Sequence, residues 1–200
     1  MERVVAYIDG FNLYRGLKDD HQRKYLWLDL QTLCERLCTP NQTLVGVNYF
    51  TAAVRNDPTG QARQAIFLAA LEAHCPLISI TKGRFQKKQL GCRICGARWT
   101  SYEEKETDVS IAVSIVEDAA LDRFDTALIV SADSDLCPAV RSARRLRPQS
   151  RFIAAFPPKR RSDELRKEVN HSFTIGEANL RASLLPNTVN GTLHRPTDWY

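Results

Sequence analysis

The sequence predicts an α/β fold in which a doubly wound, mainly parallel sheet is flanked by helices. Short apolar runs, such as residues 4–9 and 126–132, end directly at acidic residues, which is typical of central parallel strands that are buried on both faces. These runs alternate with longer stretches of helical periodicity. The chain has 200 residues, of which 44% are hydrophobic, and this is enough to bury the core of one domain.

The first half of the chain alternates strands and helices. Asp29 can cap a helix, and Pro58 suits the first turn of another, because proline lacks the amide hydrogen that a first turn leaves unpaired. The predicted elements, in order, are a strand at 4–9, a helix at 29–38, a β-rich stretch at 44–54, a helix at 58–74 and a strand at 77–81.

The second half continues the alternation, beginning with a helix that we expect to start near Glu103. Its apolar residues recur at helical spacing, so we expect a largely buried helix. The predicted apolar face consists of Val109, Ala112, Val113, Val116 and Ala120, and Ile111 and Ile115 extend it. A strand at 126–132, a helix at 135–146, a strand at 151–156, a helix at 162–169 and an edge strand at 172–175 follow.

Two segments depart from this pattern. Residues 82–102 are rich in Lys, Arg, Gly and Cys with little periodicity, which indicates a small hairpin insertion rather than a second domain. The chain from about residue 183 carries Pro, Asn, Thr and Gly without a pattern. We therefore expect one domain over residues 1–182, followed by a loose tail at 183–200.

Three short acidic motifs each lie at the end of a predicted strand or the start of a predicted helix. In a doubly wound sheet, ligands bind outside the carboxyl ends of the strands, so the motifs can meet there. Clustered ionised carboxylates repel one another unless a cation lies between them, and hard oxygen ligands favour Mg²⁺ or Mn²⁺. The motifs are Asp9-Gly-Phe-Asn12, Glu106-Thr-Asp108 and Ser131-Ala-Asp133-Ser-Asp135.

These motifs, in this order, resemble those of the NYN domains, a branch of the PIN-like nuclease fold. The resemblance extends over roughly residues 4–175 and implies a metal-dependent ribonuclease that hydrolyses RNA phosphodiester bonds. It further implies that Asp9, Asp108 and Asp133 are Mg²⁺ or Mn²⁺ ligands, that Asp135 completes the catalytic pocket, and that Asn12 orients substrate or a water. The matching segments are Tyr7-Ile-Asp9-Gly-Phe-Asn12-Leu-Tyr14, Glu104-Lys-Glu-Thr-Asp108-Val and Ile129-Val-Ser-Ala-Asp133-Ser-Asp135-Leu.

Other functions remain open at this stage. A nucleic-acid-binding or adaptor protein with a weak or inactive pocket would carry the same acidic residues. A phosphatase or nucleotide-binding enzyme fits less well, because the chain has neither Asp-x-Asp after its first strand, nor Gly-x-Gly-x-x-Gly, nor a Walker loop. Metal-assisted hydrolysis needs no nucleophilic side chain, and the sequence offers no suitable Ser-His-Asp or Cys-His set, since none of its four histidines lies near the acidic motifs in sequence.

Positive charge concentrates in one segment. The chain carries a net charge of +5, and residues 141–170 contain ten Lys or Arg against three Asp or Glu, so the remainder is slightly acidic. Basic side chains near an acidic metal site favour a polyanionic partner, here single-stranded or structured RNA held by its phosphates without base specificity. The candidate phosphate-binding residues are Arg141, Arg144, Arg145, Lys159, Arg160 and Arg161.

The pair Cys92-Arg-Ile-Cys95-Gly has the form of half a zinc site. Tetrahedral Zn²⁺ needs about four ligands, and no second Cys-x-x-Cys exists in the chain. His74 and Cys75 could complete the site, or two copies could share their pairs in a homodimer. The alternatives are two reduced thiols at a hairpin tip, and stacking of bases on the neighbouring Trp99 and Tyr102.

The amino terminus does not have the character of a signal peptide, because charged Glu2 and Arg3 precede only a short apolar run. The longest uninterrupted apolar stretch, residues 65–71, is too short to span a bilayer. We therefore expect a cytoplasmic protein without a membrane partner, in which the remaining four cysteines are reduced.

Overall fold

The computed structural model describes residues 1–21 and 23–199, with side chains at all of these positions except 21, 85–87 and 101–105. Its main feature is a seven-stranded sheet in the order β4-β3-β2-β1-β5-β6-β7. Neighbouring strands run parallel, except for the antiparallel pair β3 and β4. The strands are β1 Glu2–Asp9, β2 Gln42–Ala52, β3 Ile78–Gly91, β4 Arg98–Lys105, β5 Thr126–Val130, β6 Arg151–Phe156 and β7 His171–Thr174.

Helices cover both faces of this sheet, which confirms the predicted fold class. They are α1 Gly10–His21, α2 Leu30–Leu37, α3 Pro58–His74, α4 Thr107–Ala120, α5 Cys137–Leu146, α6 Asp163–Glu168 and α7 Glu177–Arg181. A two-stranded ribbon, β8 Thr188–Val189 and β9 Leu193–His194, follows them. Within the described part of the chain, no helix is both long enough and apolar enough to cross a membrane.

Strand β1 divides the interior into two apolar cores, because successive side chains of a strand point to opposite faces. Val4, Ala6 and Ile8 belong to the core formed with α1, α2 and α3, whereas Val5 and Tyr7 belong to the core formed with α4, α5 and α6. Burial on both faces explains why β1 is a continuous apolar run in sequence. The strand order places the end of β1, and therefore Asp9, in the middle of the sheet.

Helix starts follow the capping residues. The Asp29 carboxylate accepts a hydrogen bond from the Thr32 amide at 2.8 Å and begins α2. The Ser162 hydroxyl accepts one from the Leu165 amide at 3.1 Å and begins α6. Both predicted starts therefore agree with the structure, because a cap is a local interaction that the sequence shows directly.

Helix α4 differs from the prediction in its start and in its buried face. It begins at Thr107 rather than near residue 103, because residues 98–105 pair with β3 as a strand. Its buried side includes Ile111 and Ile115, whereas Val109 and Val113 are 65% and 56% exposed. Apolar residues lie all around this helix, so periodicity alone could not identify the side that packs on the sheet.

The carboxyl-terminal segment is not the loose tail that its composition suggests. Leu185, Val189 and Trp199 are buried in the core on the α1, α2 and α3 side of the sheet. The Trp199 ring lies 6.3 Å from the Trp27 ring and 5.8 Å from the Phe67 ring, measured between centroids. A few apolar residues at irregular spacing give no periodic signal, and only their packing identifies them as core residues.

The insertion is a hairpin that extends from the sheet. Strand β3 continues to Gly91, and β4 returns antiparallel to it, from the pair Gly91–Arg98 to the pair Arg84–Lys105. Residues 92–97 form the connecting turn, so Cys92 and Cys95 lie at the tip of the hairpin.

Candidate metal centre at the carboxyl edge of the sheet

The acidic site forms where two adjacent parallel strands end. Asp9 is the last residue of β1, and Ile8 pairs with Val130 at the end of β5. Ser131 and Asp133 follow β5 directly and therefore lie beside Asp9. The sheet order places β2 on the other side of β1, so this is the crevice where the winding direction of an open α/β sheet changes.

Three carboxylates converge at this point. Asp9, Asp108 and Asp133 each present an oxygen, and these oxygens all lie within 4.8 Å of one another. Asp9 is buried, Asp133 is half-buried and Asp108 is exposed, so the group opens from the interior toward solvent. Asp108 comes from the first turn of α4, a helix far from the two strand ends in sequence.

Hydrogen bonds hold the buried carboxylate in a fixed orientation. The Asn12 backbone amide donates a hydrogen bond to Asp9 Oδ1 at 2.9 Å, and the Ser131 hydroxyl donates one to Asp9 Oδ2 at 2.9 Å. The same Ser131 oxygen accepts a hydrogen bond from the Asp133 amide at 3.0 Å. Ser131 thus links two of the three acidic residues, and both oxygens of Asp9 are fixed before any ligand arrives.

Asn12 joins the two strand ends. Its side-chain oxygen accepts a hydrogen bond from the Ala132 amide at 3.2 Å, which ties the start of α1 to the loop after β5. Gly10 is the first residue of this helix, at a position where an added Cβ would lie 2.6 Å from the Phe50 carbonyl oxygen. The Asp-Gly-x-Asn motif therefore reflects close backbone packing as well as the ligands it carries.

The electrostatic environment of Asp9 favours a cation or a proton. Burial raises the pKa of Asp9 above its ordinary value, and the nearby Asp133 carboxylate raises it further. Hydrogen bonds from the Asn12 amide and the Ser131 hydroxyl oppose this shift. A divalent cation between the carboxylates would relieve both the desolvation and the repulsion.

Asp135 and Glu106 lie outside the group of three carboxylates that the described residues form. The backbone amide of the exposed Asp135 donates a hydrogen bond to Asp133 Oδ1 at 2.9 Å, so Asp135 contributes to the turn that orients Asp133. Glu106 precedes α4 in the left-handed region at φ 82° and forms an ion pair with Arg84. The structure therefore gives Glu106 a partner other than a metal.

Sequence reasoning missed two features beside the acidic group. Ser131 was part of a motif without a role of its own, although its position directly after a buried strand could have indicated one. Phe11 and Tyr14 on α1 are 57% and 39% exposed. The Arg15 guanidinium lies 4.9 Å from the Phe11 ring centroid, and the Lys18 ammonium lies 5.9 Å from that of Tyr14. This α1 face, residues 11, 14, 15 and 18, begins two residues after Asp9.

The predicted phosphate-binding arginines of α5 make contacts within the chain. Arg141 forms an ion pair with Glu168 at 2.7 Å. Arg144 donates to the Glu168 carbonyl oxygen at 2.6 Å, and its guanidinium lies 5.5 Å from the Phe152 ring centroid. The exposed Arg145 donates to the Ser142 hydroxyl at 3.0 Å. Arg141 and Arg144 thus fasten α6 to α5, which is a structural role.

The basic residues after β6 also have acidic neighbours. Lys159 and Arg160 form ion pairs with Asp20 at 3.0 Å and with Asp19 at 3.3 Å, which join this loop to the end of α1. The third residue of this cluster pairs with the start of α6, in the ion pair Arg161–Asp163 at 3.3 Å. RNA phosphates would have to compete with these carboxylates, so binding at these positions remains a prediction.

The cysteine pair lies far from the residues that were expected to complete it within one chain. Strand β3 separates Cys75 from Cys92, and its 14 residues span roughly 40 Å. Cys75 is buried with its thiol on the Asp29 carboxylate, and His74 Nε2 lies 3.4 Å from the same carboxylate. His74 and Cys75 therefore cannot join the tip. Tyr102, which was predicted to stack on bases, is not among the residues whose side chains the structure describes.

The acidic group fits Mg²⁺ or Mn²⁺. All three convergent donors are carboxylate oxygens, the hard ligands that both ions prefer, and their mutual distances allow one ion to contact them together. The exposed side of the group leaves room for water and substrate oxygens, which Mg²⁺ normally keeps among its ligands.

Comparison with known proteins gives three results. A family model described as NYN domain matches residues 3–177. The 6-hydroxy-3-succinoylpyridine 3-monooxygenase of Pseudomonas putida is 27% identical, over 71% of this chain and 55% of its own length. A Vibrio parahaemolyticus protein of unknown function has a similar structure, with a TM-score of 0.60 at 18% identity, over 92% of this chain and 96% of that protein. At this identity the structural similarity concerns the fold.

Proposed function

Since the chain belongs to the NYN domain family, whose members are nuclease-like, we propose that it is a metal-dependent ribonuclease. The reaction is hydrolysis of an RNA phosphodiester bond at the carboxyl edge of the sheet. The observation that carries the proposal is the convergence of Asp9, Asp108 and Asp133 within 4.8 Å, in the crevice where this fold class binds ligands.

Each acidic residue has a role that follows from its position. The buried Asp9 is a rigid ligand, because both of its oxygens are fixed by hydrogen bonds. Asp133 and Asp108 close the group from the loop after β5 and from α4. Bound Mg²⁺ or Mn²⁺ would supply a water of lowered pKa and would neutralise charge that develops on the phosphate. Asp135 holds the Asp133 turn, and Asn12 holds the two strand ends together.

The surroundings of the site suit a nucleic acid, which carries both phosphates and bases. The α1 face, which begins two residues after Asp9, offers two exposed rings and two cations. Aromatic rings stack on bases without sequence preference, and cations contact phosphates. Lys159 and Arg160, which contact the end of α1, would extend this path, although both must exchange their present carboxylate partners for phosphates.

The monooxygenase relative does not change this proposal. The chain spans about half the length of that protein, so the activity in that protein's name belongs to a longer molecule. Phosphodiester hydrolysis of this kind requires a bound divalent cation, and the three carboxylate oxygens of the acidic group are suitable ligands for one.

The test is an incubation of the purified protein with labelled single-stranded RNA, structured RNA, single-stranded DNA and a generic phosphomonoester. Each substrate is tested with Mn²⁺, with Mg²⁺ and with chelator. We expect RNA cleavage that chelator abolishes. Asp9→Asn and Asp133→Asn should each lower the cleavage rate by at least about 100-fold, because substitution of residues that merely orient metal ligands already costs up to about 100-fold. The circular dichroism spectrum of both variants should match that of the parent.

The matched control is Glu106→Gln, which removes a carboxylate close to Asp108 but outside the group of three. We expect its rate to stay within about twofold of the parent, as for a surface substitution. Cleavage that survives both Asp9→Asn and Asp133→Asn would contradict the assigned site. Salt-sensitive RNA binding without cleavage in either metal would instead support a nucleic-acid-binding or adaptor protein on the same fold.

A further inference from the structure

The hairpin tip holds two cysteine sulfurs in a preformed turn. The Cys92 amide donates to the Ala97 carbonyl oxygen at 2.8 Å, and the Gly96 amide donates to the Cys92 carbonyl oxygen at 2.9 Å. Gly96 adopts φ 72°, in the left-handed region that favours glycine, so the residue after the second cysteine suits the turn. The turn therefore has a defined shape without any bound ligand.

The sulfur of Cys92 is surrounded by donors. The backbone amides of Cys95 and Ile94 both point at it, and the Cys95 thiol donates to it as well. These donors suit a thiolate sulfur, whose negative charge accepts hydrogen bonds. Two neighbouring sulfurs in one turn, with amides directed at one of them, form half of a tetrahedral thiolate site.

A closed zinc site requires two more ligands. Among the described residues, no group of three His, Cys, Asp or Glu side chains includes Cys92 or Cys95. His74 and Cys75 lie at the opposite end of β3, and the buried Cys34 and Cys137 belong to the two cores. The described part of the chain therefore supplies two ligands and leaves the site incomplete.

We propose that Cys92 and Cys95 of two copies of this chain bind one Zn²⁺ between them, as a four-thiolate site on the two-fold axis of a homodimer. A two-fold axis brings identical surfaces together, so two half sites make one complete site. Thiolates select Zn²⁺ over the hard cations that suit the carboxylate group at the sheet edge. The chain would thus carry two metal sites of different chemistry.

The surface around the tip suits contact with a second copy. Ile94 is 98% exposed, Trp99 is 50% exposed and Leu90 is 40% exposed. Leu90 and Trp99 are directly paired across the β3–β4 ladder, so their side chains lie on one face. A two-fold contact at the tip would bury these apolar side chains from both copies. Exposed Arg93 and Arg98 would offset the net negative charge of a zinc ion with four thiolates.

The experiment measures zinc content and mass together, in the Asp9→Asn background so that the carboxylate site does not contribute metal. The full chain is purified under reducing conditions, incubated with Zn²⁺ and desalted. The amount of zinc per chain is measured by inductively coupled plasma mass spectrometry, and the molar mass is measured by light scattering. We expect about one Zn²⁺ per two chains, in a dimer that chelator separates into monomers.

Cys92→Ser and Cys95→Ser should each lose the zinc and the dimer, whereas the matched control Cys38→Ser should keep both. Substitution with Co²⁺ should give the visible absorption of tetrahedral cobalt thiolate in the parent and in the control. Zinc held by a monomer, zinc retained in Cys92→Ser, or an intrachain Cys92–Cys95 disulfide in place of metal would each overturn the proposal. The chelator measurement on the parent keeps the test valid if a variant misfolds.

Discussion

At the scale of single residues, the acidic group depends on a serine that is not itself an acid. Ser131 is fully buried, donates to Asp9 Oδ2 and accepts from the Asp133 amide. One hydroxyl therefore sets both the orientation of the Asp9 carboxylate and the path of the chain to Asp133. Substitution of a residue that orients a metal ligand without touching the metal typically lowers metal affinity or activity by about 10- to 100-fold.

We expect Ser131→Ala to weaken Mn²⁺ binding and to lower the cleavage rate by about 10- to 100-fold, because Asp9 loses one of the donors that fix it. The measurement is the Mn²⁺ dependence of RNA cleavage, combined with thermal unfolding in the presence and absence of Mn²⁺. Ser134→Ala, at an exposed serine of the same motif, serves as control and should behave as the parent. A normal Mn²⁺ dependence in Ser131→Ala would exclude the positioning role.

At the scale of elements, α1 connects the acidic group to the proposed substrate path. It begins directly after Asp9, and its exposed face carries Phe11 and Tyr14 with a cation over each ring. The same helix is anchored below by Leu13 and Leu17 in the core. A base that stacks on Phe11 would therefore be held by a rigid element rather than by a loop.

We expect Phe11→Ala to weaken binding of single-stranded RNA by roughly 5- to 150-fold, which corresponds to the usual 1–3 kcal/mol for one stacked base. Binding is measured by fluorescence anisotropy in Ca²⁺ or in the Asp133→Asn background, so that no substrate is consumed. Leu121→Ala, at an exposed apolar residue at the far end of α4, is the control. Equal affinities of the Phe11 variant and the parent would show that α1 does not contact the bases.

At the scale of the whole molecule, the carboxyl-terminal segment completes one of the two cores. It crosses back to α2 and α3, and the Trp199 ring contacts the rings of Trp27 and Phe67. The Trp27 indole donates to the Pro186 carbonyl oxygen at 2.8 Å, so this segment is also held by its backbone. The end of the described chain is therefore part of the folding unit.

We expect Trp199→Ala to lower the free energy of unfolding by about 3 kcal/mol, since it removes a large buried ring and leaves a cavity. Urea denaturation followed by circular dichroism measures the change. Leu146→Ala, at a side chain that is 51% exposed, should change the free energy by less than about 0.5 kcal/mol. If the two variants were equally stable, the segment would not belong to the core in solution.

Local signals in the sequence predicted most of the architecture. The buried runs of β1 and β5, and the caps at Asp29 and Ser162, each depend on residues that are neighbours in sequence. The exposed stripe on α4 and the buried Trp199 were not predictable in this way, because which side of an apolar segment is covered depends on distant partners. Hydrophobicity alone is the same on both sides of α4.

The sequence by itself determined the fold class, the family and the acidic residues of the candidate site, because periodicity and short motifs are local properties of the chain. Only the tertiary structure decided that Asp9, Asp108 and Asp133 come within 4.8 Å, that Ser131 joins two of them, and that no third His, Cys, Asp or Glu of the described chain forms a group with the cysteine pair. Distances between residues far apart in sequence follow from the order of strands in the sheet and from side-chain packing. Both depend on several segments of the chain at once, so no single segment determines them.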